Sequence, residues 1–240
     1  MVKNVYSKIK RYSWHELWDI IDDRLRNKIR DRINLFLGPI RLRFINLNER
    51  DFTIISNNCW GGHCYRYFNL PYNSPTIGLY FFSSDFIRFV SHLDEYLRME
   101  LKMISVTDSI HYDELVKYHP GSLNKPIGRL GDDVEIVFLH YNSNKEAKSK
   151  WDRRSRRVNL NNVIVKFSEM NGCTKEHLLA FDKLPYERKF VFVTKDYDIN
   201  SQVIFREYFG MPEITNDTTL FRKYVDLIKL VRGEPFKKRQ

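Results

Sequence analysis

Short β-branched or aromatic runs alternate along this chain with segments whose apolar residues recur every three or four positions, and few folds accept such an alternation. Runs at 51–56, 77–82, 103–106, 134–140, 163–167 and 189–194 predict strands; periodic segments at 83–97, 112–118, 144–158, 174–184 and 218–231 predict helices. The stretch 120–131 is broken by proline, glycine and asparagine and predicts a loop. Strands that alternate with helices pair in parallel, because each crossover helix returns the chain to the same end of the sheet. The expected fold is therefore α/β: a mostly parallel sheet with helices on both faces, a Rossmann-like three-layer sandwich.

A long N-terminal helix is predicted from residue 13 to Gly38-Pro39, with Trp14, Leu17, Trp18, Ile21, Leu25, Ile29, Ile33 and Phe36 on one side and Arg24, Arg26, Lys28, Arg30 and Arg32 on the other. Either it docks on its own core with a solvated charged side, or it also meets a partner subunit or an anionic membrane. No repeat, low-complexity segment or linker marks a boundary. The expected organisation is residues 1–50 as a basic amphipathic helix and lead-in packed on the core, and 51–240 as a catalytic-type α/β domain.

A formal net charge of +10 draws in anionic partners of any kind. No helix-turn-helix, zinc-finger or aromatic RNA-binding motif accompanies the charge, so nucleic acid is not expected. The first ten residues carry Lys3, Lys8 and Lys10 without an apolar stretch, and no run approaches the roughly 20 apolar residues of a membrane span. A cytoplasmic protein is expected, with peripheral attachment at the inner membrane face through the N-terminal helix and a homo-oligomer both left open. Cys59, Cys64 and Cys173 are too sparse for a disulfide scaffold, and reduced thiols are expected.

The segment Ser56-Asn57-Asn58-Cys59-Trp60-Gly61-Gly62-His63 packs unusual chemistry directly behind a strand. Asparagine supplies turn donors and acceptors, glycine lets backbone approach a ligand, and amides at a helix start favour an anion or a developing oxyanion. A helix N-terminus and a nearby imidazole lower a thiol's pKa, which makes Cys59 a candidate nucleophile; a buried apolar filler is the competing reading. His140 closes the strongest predicted strand, where it could act as general base or be a satisfied structural histidine. His63 is the alternative partner. The spacing of Cys59, His63 and Cys64 fits no familiar zinc pattern, so no metal is expected.

Beyond His140 the helix at 144–158 carries Lys150, Arg153, Arg154 and Arg157, which could present one cationic face to phosphate or carboxylate, or be a solvated face.

ISNNCWGGHCYRYFNLPYNSPTIGLYF from Ile55, PIGRLGDDVEIVFLHY from Pro126 and KWDRRSRRVN from Lys150 resemble the bacterial family known as domain of unknown function nineteen-nineteen, whose members are described as exopolysaccharide or capsule biosynthesis proteins and acetyltransferases. The resemblance spans about Asp51 to Thr194. A looser similarity is to capsule enzymes with a Gly-Asn-Cys turn after the first strand that use coenzyme A with a cysteine and a histidine; it lands on Asn58, Cys59 and His140, with Asn57 where that turn has glycine.

These resemblances imply an O-acyltransferase moving an acetyl group from acetyl coenzyme A to a sugar hydroxyl. Cys59 would be the nucleophile and His140 the base. Asn57, Asn58, Gly61 and Gly62 would form the oxyanion site, and Lys150, Arg153, Arg154 and Arg157 would hold cofactor phosphates. Two other readings stay open: a glycosyl- or phosphosugar transferase using a nucleotide sugar, and a non-catalytic polysaccharide-assembly module.

Overall fold

The computed structural model describes residues 23–234. The predicted helix residues Trp14, Leu17, Trp18 and Ile21 lie outside them. In chain order the α-helices are α1 (Asp23–Leu42), α2 (Trp60–Phe68), α3 (Ser83–Ser91), α4 (Leu93–Arg98), α5 (Tyr112–Tyr118), α6 (Asn144–Ser155), α7 (Lys175–Asp182) and α8 (Leu227–Val231). The strands are β1 (Thr53–Ser56), β2 (Lys102–Ile104), β3 (Ile127–Leu130), β4 (Val134–Val137), β5 (Val163–Ser168), β6 (Lys189–Val193) and β7 (Gln202–Ile204).

The central sheet has the order β1-β5-β6-β7, parallel throughout. Alternate side chains leave it on opposite faces. Ile54, Ile164, Phe190 and Phe192 pack with Trp60, Cys64 and Phe68 of α2 and with Leu227, Leu230 and Val231 of α8. On the other side Ile55, Val165, Phe167 and Val191 meet Phe86 and Phe89 of α3, Trp151 of α6 and Phe181 of α7. Helices thus cover both faces, and the fold is α/β with Rossmann-like layering.

The long segment between β1 and β5 departs from the predicted order. Val134–Val137 does not join the parallel sheet: it pairs antiparallel with β3, and β3 with β2, in a separate three-stranded sheet. The predicted loop at 120–131 contains β3. Gly128 is in that strand because a Cβ there would lie 2.6 Å from Leu101 Cδ1 and 3.0 Å from Phe138, and Gly131 turns the hairpin at φ +58°. Residues 77–82 form no strand; Tyr80 makes a single antiparallel bridge to Val137. Open strand edges invite pairing, and at β1 residues 74–76 cover the free side, Thr76 Oγ1 donating to Ile54 O (3.4 Å) and accepting from Ser56 N (3.1 Å).

Two predicted helices are shorter than expected. The segment 83–97 breaks at His92 (φ −130°, ψ 41°) into α3 and α4. Of 218–231 only Leu227–Val231 is α-helical, because Asp226 accepts from Ile228 N (3.0 Å) and starts the helix there. Conversely, α1 runs through Pro39 to Leu42 rather than ending at Gly38.

Candidate functional site

The turn after β1 is built by side-chain bonds to its own backbone. Ser56 Oγ donates to Asn58 O (2.7 Å) and accepts from Gly61 N (3.3 Å); Asn58 Oδ1 accepts from Trp60 N (3.1 Å); Gly62 N donates to Cys59 O (3.2 Å). These amides are the ones the sequence offered as oxyanion donors, and here they brace the first turn of α2. Asn57 is likewise engaged, Nδ2 donating to Ser168 O (3.1 Å) and its carbonyl accepting from Phe81 N (3.0 Å). Its Oδ1 is buried and has no partner.

Beneath the turn sits a buried charge cluster. Lys166, on central strand β5, pairs with Asp217 and donates to Asn58 Oδ1 (3.1 Å). Asn58 Nδ2 donates to both Asp217 carboxylate oxygens (3.0 Å each), and Ser168 Oγ donates to Oδ2 (2.5 Å). Burial alone would push the Asp217 carboxyl up, but the Lys166 charge and the hydrogen bonds from Lys166, Ser168 and Asn58 override it and hold it below its ordinary value. Lys166 interrupts an otherwise apolar strand run, a visible irregularity; Asp217, far along the chain, carries no such mark.

Cys59 occupies the N-cap position of α2, largely screened from solvent, and its Sγ lies 3.7 Å from Leu79 O. Burial, reinforced by the Asp217 charge and only partly offset by Lys166, pushes its thiol up to about 11. The expected lowering by the helix N-terminus does not prevail, and Cys59 rests as a thiol. Cys64 is fully buried among Phe68, Ile54 and Trp60, an apolar filler.

His140 lies past the end of β4, and its backbone N–H donates to Gly78 O (2.9 Å), one residue from the carbonyl that faces Cys59. Gly78 takes φ +74°, and a Cβ there would press on Tyr141 (3.2 Å) and His140 Cβ (3.4 Å). Residues 78–79 are therefore gripped on one side by the turn after β1 and on the other by His140-Tyr141. Burial, then Lys125 and Arg66, hold the His140 imidazole below its ordinary value. His63 is driven further, to about 3, by burial and by Arg66 and Arg30, with His140 itself contributing; Arg66 Nη2 lies 3.2 Å from the His63 ring. Both imidazoles are neutral at physiological pH.

The predicted cationic face of Lys150, Arg153, Arg154 and Arg157 does not form as one surface. Arg154 continues the inward stripe of Ala147 and Trp151; it is buried, donates to Tyr141 Oη (2.6 Å) and lies 5.1 Å from the Tyr72 ring centre. Tyr141 in turn donates to Ile77 O (2.5 Å), so Arg154 braces the segment beside Cys59. Lys150 pairs with Glu146 (3.4 Å) and Arg157 is exposed. Arg153 joins Lys145, Lys148 and Arg156 along a shallow groove of about 460 Å³. Among the described residues no group of three or more His, Cys, Asp or Glu could hold a metal ion, and no helix is long and apolar enough to cross a membrane.

A family model described as a domain of unknown function (DUF1919) matches residues 36–232. A Haemophilus influenzae (strain Rd) protein described as uncharacterized is 28% identical over 214 residues, covering 87% of this chain and 95% of the relative.

Proposed function

Since the chain belongs to the DUF1919 family, we propose that it is an acyltransferase of exopolysaccharide or capsule biosynthesis, using Cys59 and His140 to move an acetyl group from acetyl coenzyme A to a sugar hydroxyl. One observation carries the reading: the Cys59 thiol and the His140 backbone engage adjacent carbonyls, Leu79 and Gly78. A protonated thiol and a neutral imidazole suit general-base activation rather than a resting thiolate–imidazolium pair.

On this reading His140 takes the thiol proton as Sγ bonds to the acyl carbon of the thioester, then returns it to the departing coenzyme A sulfur. His140 next takes the proton of the sugar hydroxyl whose oxygen bonds to that carbon, and gives it to Sγ as Cys59 is released. With the α2 amides engaged, positive charge near the site from Lys166 and Arg66 is what remains to steady the oxyanion. Lys145, Lys148, Arg153 and Arg156 have the chemistry to hold coenzyme A phosphates. The protein is read as cytoplasmic, reaching the inner membrane face peripherally.

Intact-mass analysis after incubation with acetyl coenzyme A tests the proposal. An acetyl adduct that maps to Cys59, is lost in Cys59→Ala and forms more slowly in His140→Ala is expected. Absence of any adduct, together with no coenzyme A binding, removes it.

The engaged amides and the raised thiol favour one second reading, in which Cys59 is structural and the basic groove grips the diphosphate of a nucleotide sugar. Thermal stabilisation by a nucleotide sugar but not by coenzyme A selects it.

A further inference from the structure

Helix α1 sits on the body with its apolar stripe turned away. Inward, Leu42 packs on the core, Arg41 Nη1 donates to Asn34 Oδ1 (2.7 Å) and Tyr67 O (2.6 Å), and a Cβ on Gly38 would lie 2.6 Å from Asn69 Cβ. Outward stand Ile33, Phe36, Leu37 and Ile40, at the spacing of one helical face, followed beyond the helix by Phe44 and Leu47. Phe36 is 74%, Phe44 63% and Leu47 76% exposed. Amphipathic helices of globular domains bury such a stripe, and a contiguous exposed apolar patch marks a docking surface.

Charge decides between occupants. Lys28 and Arg32 fall along one flank of the stripe, Arg43 follows just past the helix end, and all three are exposed. A second copy docked face to face would bring these cations near one another. An anionic bilayer satisfies both features, taking the apolar side chains at the acyl boundary and the cations at its phosphates.

We propose that the outward face of α1 seats the protein on a membrane surface rich in anionic phospholipid, through Ile33, Phe36, Ile40 and Phe44 with Lys28, Arg32 and Arg43 alongside. This inference is independent of the acyl-transfer chemistry.

Flotation of the full chain with phosphatidylcholine vesicles, with and without phosphatidylglycerol, tests it. Binding to the phosphatidylglycerol vesicles that weakens with salt is expected. Replacing Lys28, Arg32 and Arg43 together by serine should weaken it about 100-fold, at roughly fivefold per cation. Phe36→Ser with Ile40→Ser should abolish it while leaving the melting temperature unchanged, since both side chains are exposed. No flotation, or flotation indifferent to the apolar variant, overturns the proposal. So does a dimer in sedimentation equilibrium that the apolar variant dissolves while vesicles are ignored, which would assign the face to a second copy.

Discussion

Asn58 Nδ2 donates to both carboxylate oxygens of Asp217 at 3.0 Å, tying the turn after β1 to a loop 159 residues further along the chain. The same carboxylate neutralises Lys166, whose side chain is fully buried. Removing one member of a buried ion pair strands the other charge, which costs about 3–5 kcal/mol, whereas replacing both by apolar groups of similar volume is often neutral. Asp217→Ala should therefore lower unfolding stability by about that amount, while Lys166→Met combined with Asp217→Leu should recover most of it. Urea unfolding midpoints measure both; equal losses in the single and double variants would contradict the assignment.

His63 makes stability depend on pH. Its folded-state value is driven to about 3 from an ordinary value near 6.5, so between the two the unfolded chain binds more protons than the folded one. Its contribution is fully present above about 6.5 and declines as pH falls toward 3. His63→Gln keeps a polar side chain and removes that titration. The variant should show a flatter fall in stability between pH 6.5 and pH 4 than the parent, read from denaturant midpoints across that window. Parallel curves would mean that the imidazole is freely solvated.

Local pattern exposed β1, α6, β5, α7 and β6 in the sequence, as short β-branched or aromatic runs for the strands and as longer helical segments between them, while α2 was legible only as a helix start. It failed where tertiary contact overrode local signal. Gly128 and Gly131 read as loop residues, yet Leu101 and Phe138 demand the first and a hairpin the second. Val134–Val137 is apolar enough for a central parallel strand and lies instead in the small antiparallel sheet. Within the site, Asn58 and Cys59 were legible as turn chemistry. His140 was singled out as the end of a parallel strand; in the structure it follows an antiparallel one, and its backbone meets Gly78, one residue from the carbonyl that faces Cys59. Asp217 and Lys125 were not legible, since their effects arise only from distant packing. Lys166 could have been found as a lone cation inside a buried strand.

Cys59 should react as a buried, protonated thiol. With its value near 11, the thiolate fraction grows about tenfold per pH unit across neutrality, and alkylation should follow. Timed labelling with iodoacetamide, followed by peptide mapping, should give a Cys59 rate that rises steadily from pH 7 to pH 9 and is slower at pH 7.5 than that of an unstructured cysteine peptide. A rate already at its plateau by pH 7 would instead mark a resting thiolate and restore the mechanism that the helix N-terminus suggested.

Gly38 sets how closely α1 approaches α2. A methyl group there would meet Phe68 O at 2.7 Å and Asn69 Cβ at 2.6 Å, and the carbonyl is backbone at a helix end that cannot swing aside. Asn69 is already fixed in the left-handed region at φ +54° to close α2, so it has little freedom to yield. The helix must therefore lift, which loosens the Arg41 bonds to Asn34 and Tyr67. Gly38→Ala would raise intrinsic helix propensity by about 1 kcal/mol, and overpacking costs about 1–3 kcal/mol, so a net loss of stability is expected. Hydrogen exchange should quicken in α1 and at the C-terminal turn of α2 while the sheet stays protected; a stabilised variant with unchanged exchange would mean that the two helices are not in contact at this position.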